Sequence, residues 1–333
     1  MAIPLVEVTR GDVVEKVHRG HVVVVNRERE IVASLGDPFK ETYMRSCAKP
    51  VQALPLVLSG GTDVYNISAR ELAIMCASHY GEDFHIAVID GILAKIGLAE
   101  EHFSCGAAPS IKMSYALEQA RRGIVLDQRY NDCSGKHCGM LTLCLHRDYP
   151  LAGYIEPDHP LQREILETFA AFCEVAVEDI KIGIDGCSVP VFYLPLFNMA
   201  LSYVKLTNPD AFDIHFAKAS RRIVEAMTSH PEMVAGTGGF CTELMRHTSG
   251  RMIGKVGANG VYCVGVKEKG IGLAVKIEDG SMEVLSSVTL QVLLDLDLLT
   301  AHEYARLKEF HIKEIKNDRN IVVGVQRPCF KTF

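Results

Sequence analysis

The chain has 333 residues and is 48% hydrophobic, enough apolar material for a large packed core, while 35 Lys and Arg against 41 Asp and Glu leave a net charge of −6. That balance offers no basic stripe to a phosphate backbone, which excludes nucleic acid as an expected partner. Met1 to Arg10 carries no secretory pattern and no apolar run reaches spanning length, so no membrane is expected and the expected location is cytoplasmic.

In chain order, Val22–Val25 and Ile31–Leu35 are β-branched runs about a polar stretch and predict an opening hairpin. From Ser46 the chain is mostly apolar to Ser59-Gly60-Gly61. This predicts a buried helix with Ser46 at or near its N-cap, Pro50 in its first turn and a kink or early stop at Pro55. Ser68-Ala-Arg-Glu71 has capping-box spacing and predicts a helix to Cys76, with Ser78 just beyond it. Asp83 opens a helix that Gly97 closes. Further helices are predicted over residues 115–122, 136–146, 160–172, 189–204 and 209–228. Strands follow at 261–266, 271–277 and 282–288, then a helix over 302–315 and a strand over 321–325. Strands at both ends and helices between predict an α+β fold, with N- and C-terminal strands in one antiparallel sheet and the helices packed on it. No repeat, linker or composition break divides the chain, so one domain over 1–333 is expected.

Of the eleven cysteines, Cys76, Cys144, Cys173, Cys241 and Cys263 sit in apolar runs, where a reduced thiol behaves as a small hydrophobe. Cys133 and Cys187 lie among glycines and polar residues instead.

Ser46 and Lys49 form Ser-x-x-Lys, whose spacing of three on a helix puts hydroxyl and amine on one face. A serine attacks an amide only with a base beside it, and a lysine serves once burial or a second cation lowers its pKa. A capping serine with a solvated lysine has the same spacing, so the motif needs company. Ser78-His79-Tyr80 after the next helix and Lys255-Val256-Gly257 before a strand pair supply it, in the order expected of a serine–lysine hydrolase. Lys255 would help keep Lys49 neutral, and Ser78 would carry protons between the lysines and the leaving group.

Asn131-Asp-Cys-Ser-Gly-Lys-His-Cys-Gly139 opens a helix with small and nucleophilic residues but lacks the phosphate-loop spacing, and Asp132 would repel a phosphate. With Cys187 on the Gly183–Ser188 turn, Cys133 suggests a partial zinc shell, to which chemistry alone would add His137. Two ordinary cysteines in ordered turns fit the spacing as well. Ala235 to Phe240, containing Thr237 and Gly238, is a loop able to present backbone amides or simply a helix connector.

Taken together, Arg45–Pro50, Cys76–His79, Asn131–His137, Gly183–Cys187, Val234–Gly238 and Lys255–Val261 resemble the asparaginase II family, the rhizobial-type L-asparaginases, over nearly the whole chain. The resemblance implies a serine β-lactamase- and penicillin-binding-protein-like fold, hydrolysis of L-asparagine to L-aspartate and ammonia, and two serine–lysine pairs, Ser46/Lys49 and Ser78/Lys255. It also implies zinc on Cys133, Lys136 and Cys187, with Lys136 in place of His137, and a homodimer. Arg45, His79, Asp185, Gly186, Thr237 and Gly238 are then the expected substrate contacts. Two positions depart from the family pattern: Asn259, where many relatives are acidic, and Val256, where a small polar residue is usual. The rivals are a glutaminase or β-lactamase-like amidohydrolase, a hydrolase using zinc-bound water, and a binding protein that retains the scaffold without turnover.

Overall fold

A computed structural model describes residues 1–332. Its strands are β1 (Ile3–Arg10), β2 (Val13–Asn26), β3 (Ile31–Leu35), β4 (Glu41–Tyr43), β5 (Lys181–Ile184), β6 (Pro190–Pro195), β7 (Met252–Gly257), β8 (Val261–Val266), β9 (Ile271–Ile277), β10 (Lys313–Lys316) and β11 (Val322–Pro328). The main sheet runs β10-β11-β1-β2-β9-β8-β7, antiparallel throughout, which is the expected α+β arrangement. Both chain ends meet in it, since β1 from the start pairs with β11 from the finish. The long β2 pairs with β1 up to Gly20, and from Val22 onward β3 takes its place. Val22 to Val25 are therefore covered by neighbours on either side and fully buried.

The helix Leu196–Thr207 lies directly on β2, β8 and β9. Close approach requires glycine in the sheet: a Cβ at Gly272 would lie 2.0 Å from the Ala200 carbonyl oxygen, and one at Gly265 2.6 Å from that of Tyr203. Beyond it, the helices Ala69–Met75, Asp83–Ile96, Ser134–His146 and Ile214–Ser229 pack on one another. The first has the expected capping box, Ser68 accepting from the Glu71 N–H at 3.3 Å and Glu71 from the Ser68 N–H at 2.8 Å.

Several boundaries differ from expectation. The predicted strand 282–288 is a turn leading into the helix Leu285–Asp295, whose apolar residues are buried nearly all round, so no period distinguished helix from strand. The predicted helix 189–204 begins as β6, where Val191, Phe192 and Tyr193 favour extended backbone, and turns helical only after Pro195. The last helix stops at His311, and Lys313–Lys316 is strand. Unforeseen altogether were β1, the edge strand β7 and a small second sheet, β4-β6-β5.

Candidate active site

The predicted Ser46 helix is broken into short pieces: a 3-10 turn over Arg45–Ala48, then Lys49–Gln52 and Leu54–Leu58, interrupted near the two prolines. Ser46 is thus not a helix cap but lies within the first turn, just after Arg45, whose φ of +50° is rare for a residue with a Cβ. This turn is clamped against β7. The Cys47 thiol donates to the Lys255 carbonyl at 3.0 Å, and the Tyr203 hydroxyl donates to the Cys47 carbonyl at 2.9 Å. A Cβ at Gly257 would sit 2.9 Å from the Met44 carbonyl oxygen and 3.1 Å from the Cys47 sulfur. The glycine of Lys-Val-Gly is what permits the two segments to touch.

Ser78 follows the helix that ends at Met75 and is held by its N–H to the Val234 carbonyl, 3.0 Å, while the next N–H, of His79, reaches the Asp132 carbonyl at 3.2 Å. Its hydroxyl lies 3.0 Å from the Lys49 amine and 2.9 Å from the Lys255 amine. Lys49 also donates to the Ala77 carbonyl and stands 3.6 Å from the Asp132 carboxylate, and Lys255 also donates to the Val256 carbonyl. Among the described residues Lys49 makes no hydrogen bond to Ser46, so the amine that sequence spacing pairs with Ser46 is bonded instead to the other serine.

Both amines are buried, and their surroundings drive them apart. Burial lowers the pKa of Lys255, and the charge of Lys49 lowers it further. Burial also disfavours the charge on Lys49, but Cys133 and Asp132 outweigh it and leave that pKa raised. Lys255 is therefore the amine inclined to be neutral, the reverse of the order expected from sequence.

Ser46 and Ser78 line one cavity of about 660 Å³, together with Arg45, Asp185, Gly186, Cys133, Cys187 and Asn259. Arg45 and Asp185 meet in it at 2.6 Å. The small sheet makes that meeting: β4 and β5 both run antiparallel to β6, so their ends release Arg45 and Asp185 on the same side. Three expected contacts stand elsewhere. His79 is fully buried below the cavity, its Nδ1 accepting from the Gly81 N–H at 3.0 Å and its Nε2 facing the Ser134 hydroxyl at 2.8 Å; burial pushes its pKa well down. Thr237 and Gly238 are exposed on the outer lip, where the Thr237 N–H reaches Glu82 at 2.8 Å and its carbonyl accepts from Lys112 at 2.6 Å. Sequence reasoning missed Tyr80, Ile111, Asp132, Phe240, Tyr262 and Met282 as lining residues. Tyr80 and Asp132 lie inside quoted motifs, but nothing local directs Asp132 towards Lys49.

Beside this cavity the Lys136 amine donates to the Cys187 sulfur at 2.9 Å. Interaction with Cys133 is the largest influence lowering the pKa of the Cys187 thiol and raises that of Cys133, whose thiol donates to the Asp132 carboxylate at 3.6 Å. The His137 Nδ1 faces the Tyr154 hydroxyl at 2.7 Å, leaving its Nε2 buried without a partner. Among the described residues no three His, Cys, Asp or Glu side chains form a metal-holding group. A donor set here needs the amine: two thiols, one already inclined to ionise, and Lys136 are chemically suited to zinc once the amine gives up its proton.

Two serine hydroxyls on one cavity, one of them bonded to two buried lysine amines, on an α+β frame, have the make-up of an amidohydrolase. The chain belongs to the L-asparaginase II family, whose model matches residues 6–328. Among curated protein sequences none matches. Of solved structures, a β-lactamase from Mycobacterium bovis is similar at 12% identity and a TM-score of 0.44, over 88% of this chain and 95% of that one. A putative β-lactamase from Bacteroides dorei is similar at 11% and 0.44, over 83% and 93%. Mglu in its native form is similar at 15% and 0.41, over 84% and 61%. Likenesses at this level carry no statement about chemistry.

Proposed function

We propose that this protein hydrolyses L-asparagine to L-aspartate and ammonia through a serine acyl-enzyme. The observation that carries the reading is the Ser78 hydroxyl between the Lys49 and Lys255 amines, in the same cavity as Ser46. In this reading Ser46, the more open of the two hydroxyls, attacks the side-chain amide carbon. Its proton passes by way of Ser78 to neutral Lys255, while charged Lys49 holds the Ser78 oxygen in place. The proton then goes to the departing nitrogen, and water hydrolyses the ester. Arg45 would bind the substrate carboxylate and Asp185 its α-ammonium.

A second reading makes Ser78 itself the nucleophile, favoured by its two amine contacts at 2.9 and 3.0 Å. Cys133, Lys136 and Cys187 would hold zinc, which supplies a fixed positive charge beside the substrate site. A homodimer in the cytoplasm completes the proposal.

Ammonia release from asparagine and glutamine, and ring opening of a β-lactam, by the wild type, Ser46→Ala and Ser78→Ala test it. We expect asparagine to be preferred, Ser46→Ala to lose about 10⁴-fold or more in kcat, and Ser78→Ala about 10²- to 10⁴-fold. No ammonia from asparagine with the wild type overturns the function. Full activity in Ser46→Ala, with loss only in Ser78→Ala, replaces the first reading by the second.

A further inference from the structure

The cavity is large for the substrate just proposed. Free asparagine, about five water volumes at ~30 Å³ each, fills roughly a quarter of its 660 Å³. The polar lining, with Arg45 and Asp185, adjoins Ser46 in sequence and space. A different surface adjoins Ser78: Tyr80, Ile111, Ala235, Phe240 and Tyr262 all line the cavity.

These side chains form one continuous wall. Tyr80 presses on the 235–240 loop so closely that a Cβ at Gly236 would lie 2.4 Å from its ring and one at Gly239 2.6 Å from its hydroxyl. The Phe240 ring packs on Tyr262 with centroids 5.2 Å apart. The Lys112 ammonium stands 5.4 Å over the Tyr80 ring and donates to the Thr237 carbonyl at 2.6 Å, which ties the residue next to Ile111 to the same loop. Ile111 itself is 54% exposed. A large apolar side chain held out at the mouth of an apolar wall marks a surface that an apolar group would cover.

Resting on the amidohydrolase reading, we propose that the site takes secondary amides: aspartate β-amides whose nitrogen carries an apolar alkyl or aryl group, seated against Tyr80, Ile111, Phe240 and Tyr262. The side of attachment follows from the chain. Tyr80 lies two residues after Ser78, and the Ser78 N–H is bonded to Val234, immediately before Ala235. Ser78 passes the proton to the departing nitrogen, so that nitrogen and its substituent face this wall while the amino-acid end faces Arg45 and Asp185. In the reaction the serine oxygen bonds to the β-carbonyl carbon and the C–N bond breaks. The nitrogen takes the proton given up by the hydroxyl and leaves as a primary amine. Water then splits the ester, restoring the hydroxyl and freeing aspartate.

Initial rates of aspartate release from asparagine and from the N-benzyl β-amide of aspartate test the assignment. We expect a KM at least about tenfold lower for the benzyl amide. In Ile111→Asp, changed at an exposed position, the ratio of kcat/KM for benzyl amide over asparagine is expected to fall about tenfold. Turnover of asparagine with no KM advantage for the benzyl amide overturns the inference and leaves the amidohydrolase reading standing, as does an unchanged ratio in Ile111→Asp. No turnover of either substrate overturns that reading, and this one with it.

Discussion

Two amines on one hydroxyl oxygen cannot both stay charged in a buried site without mutual repulsion, and the surroundings of Lys49 and Lys255 decide which one yields. Acidic neighbours raise the pKa of Lys49, while burial and then the charge of Lys49 lower that of Lys255. A neutral Lys255 accepts a proton and a charged one does not. We therefore predict that kcat rises with pH from the neutral side through the lowered pKa of Lys255 and levels off below the ordinary lysine value of 10.5. The pH profile of the wild type checks this, and Lys255→Met should flatten it while lowering kcat about 10²-fold or more; a profile that falls from neutral pH upward would overturn the assignment. The thiol and amine beside the cavity make a second prediction at this scale. Lys136 now holds a proton against Cys187, so zinc binding must displace it. Dialysed wild-type protein should retain zinc by elemental analysis and Cys187→Ala should not, and uptake by the metal-free protein should release protons to a weak buffer.

At the scale of elements, the site is a set of contacts between segment ends. The Arg45–Ala48 turn, the strand β7 and the loop after Met75 each contribute one part, and two of them touch only because residue 257 has no side chain. Gly257→Ala puts a methyl group into the Met44 carbonyl and the Cys47 sulfur. We expect it to cost about 1–3 kcal/mol of stability, from the shift in denaturant midpoint, and to lower kcat more than it raises KM by moving Ser46 away from Lys255. His79 belongs at this scale too. Its ring ties the Ser78 loop to Ser134, which in turn donates to the Arg129 carbonyl at 2.8 Å, so it positions the loop from below. Asn131 does the same for the Cys133 loop, its amide donating to the carbonyls of Cys105 at 2.9 Å and Gly106 at 3.0 Å.

Over the whole molecule, the eleven cysteines are all free thiols; ten are buried and Cys329 is exposed. In a core that excludes water, the thiols of Cys76, Cys138 and Cys173 are pushed up by burial and stay unreactive, Cys76 and Cys173 to about 12. Titration of the native protein with an aromatic disulfide reagent should therefore show a fast phase lost in Cys329→Ser while Cys76, Cys138 and Cys173 stay unmodified, and eleven thiols after unfolding without reductant. Fewer than eleven would reveal a disulfide. The sheet that joins both chain ends gives the molecule its frame, and among the described residues no helix is long and apolar enough to cross a membrane.

Part of the candidate site was legible in the sequence: Arg45, Ser46, Ser78, Cys133, Asp185, Gly186 and Cys187 line one cavity, whereas His79, Thr237 and Gly238 do not. The hairpin at Val22–Leu35, the capped helix from Ser68 and the strands β8 and β9 were legible because their patterns are complete within a short window. Which partners meet was not. Spacing joined Lys49 to Ser46, but the fold brings Ser78, twenty-nine positions along the chain, to its amine. Arg45 and Asp185 came together through a small sheet too short to leave a period. The sequence by itself determined the kinds of chemical group and the local elements that carry them. Only the tertiary structure decided which amine gives up its proton more easily and which hydroxyl it meets, because a pKa and a hydrogen bond depend on burial and neighbouring charge in space, and neither is a function of distance along the chain.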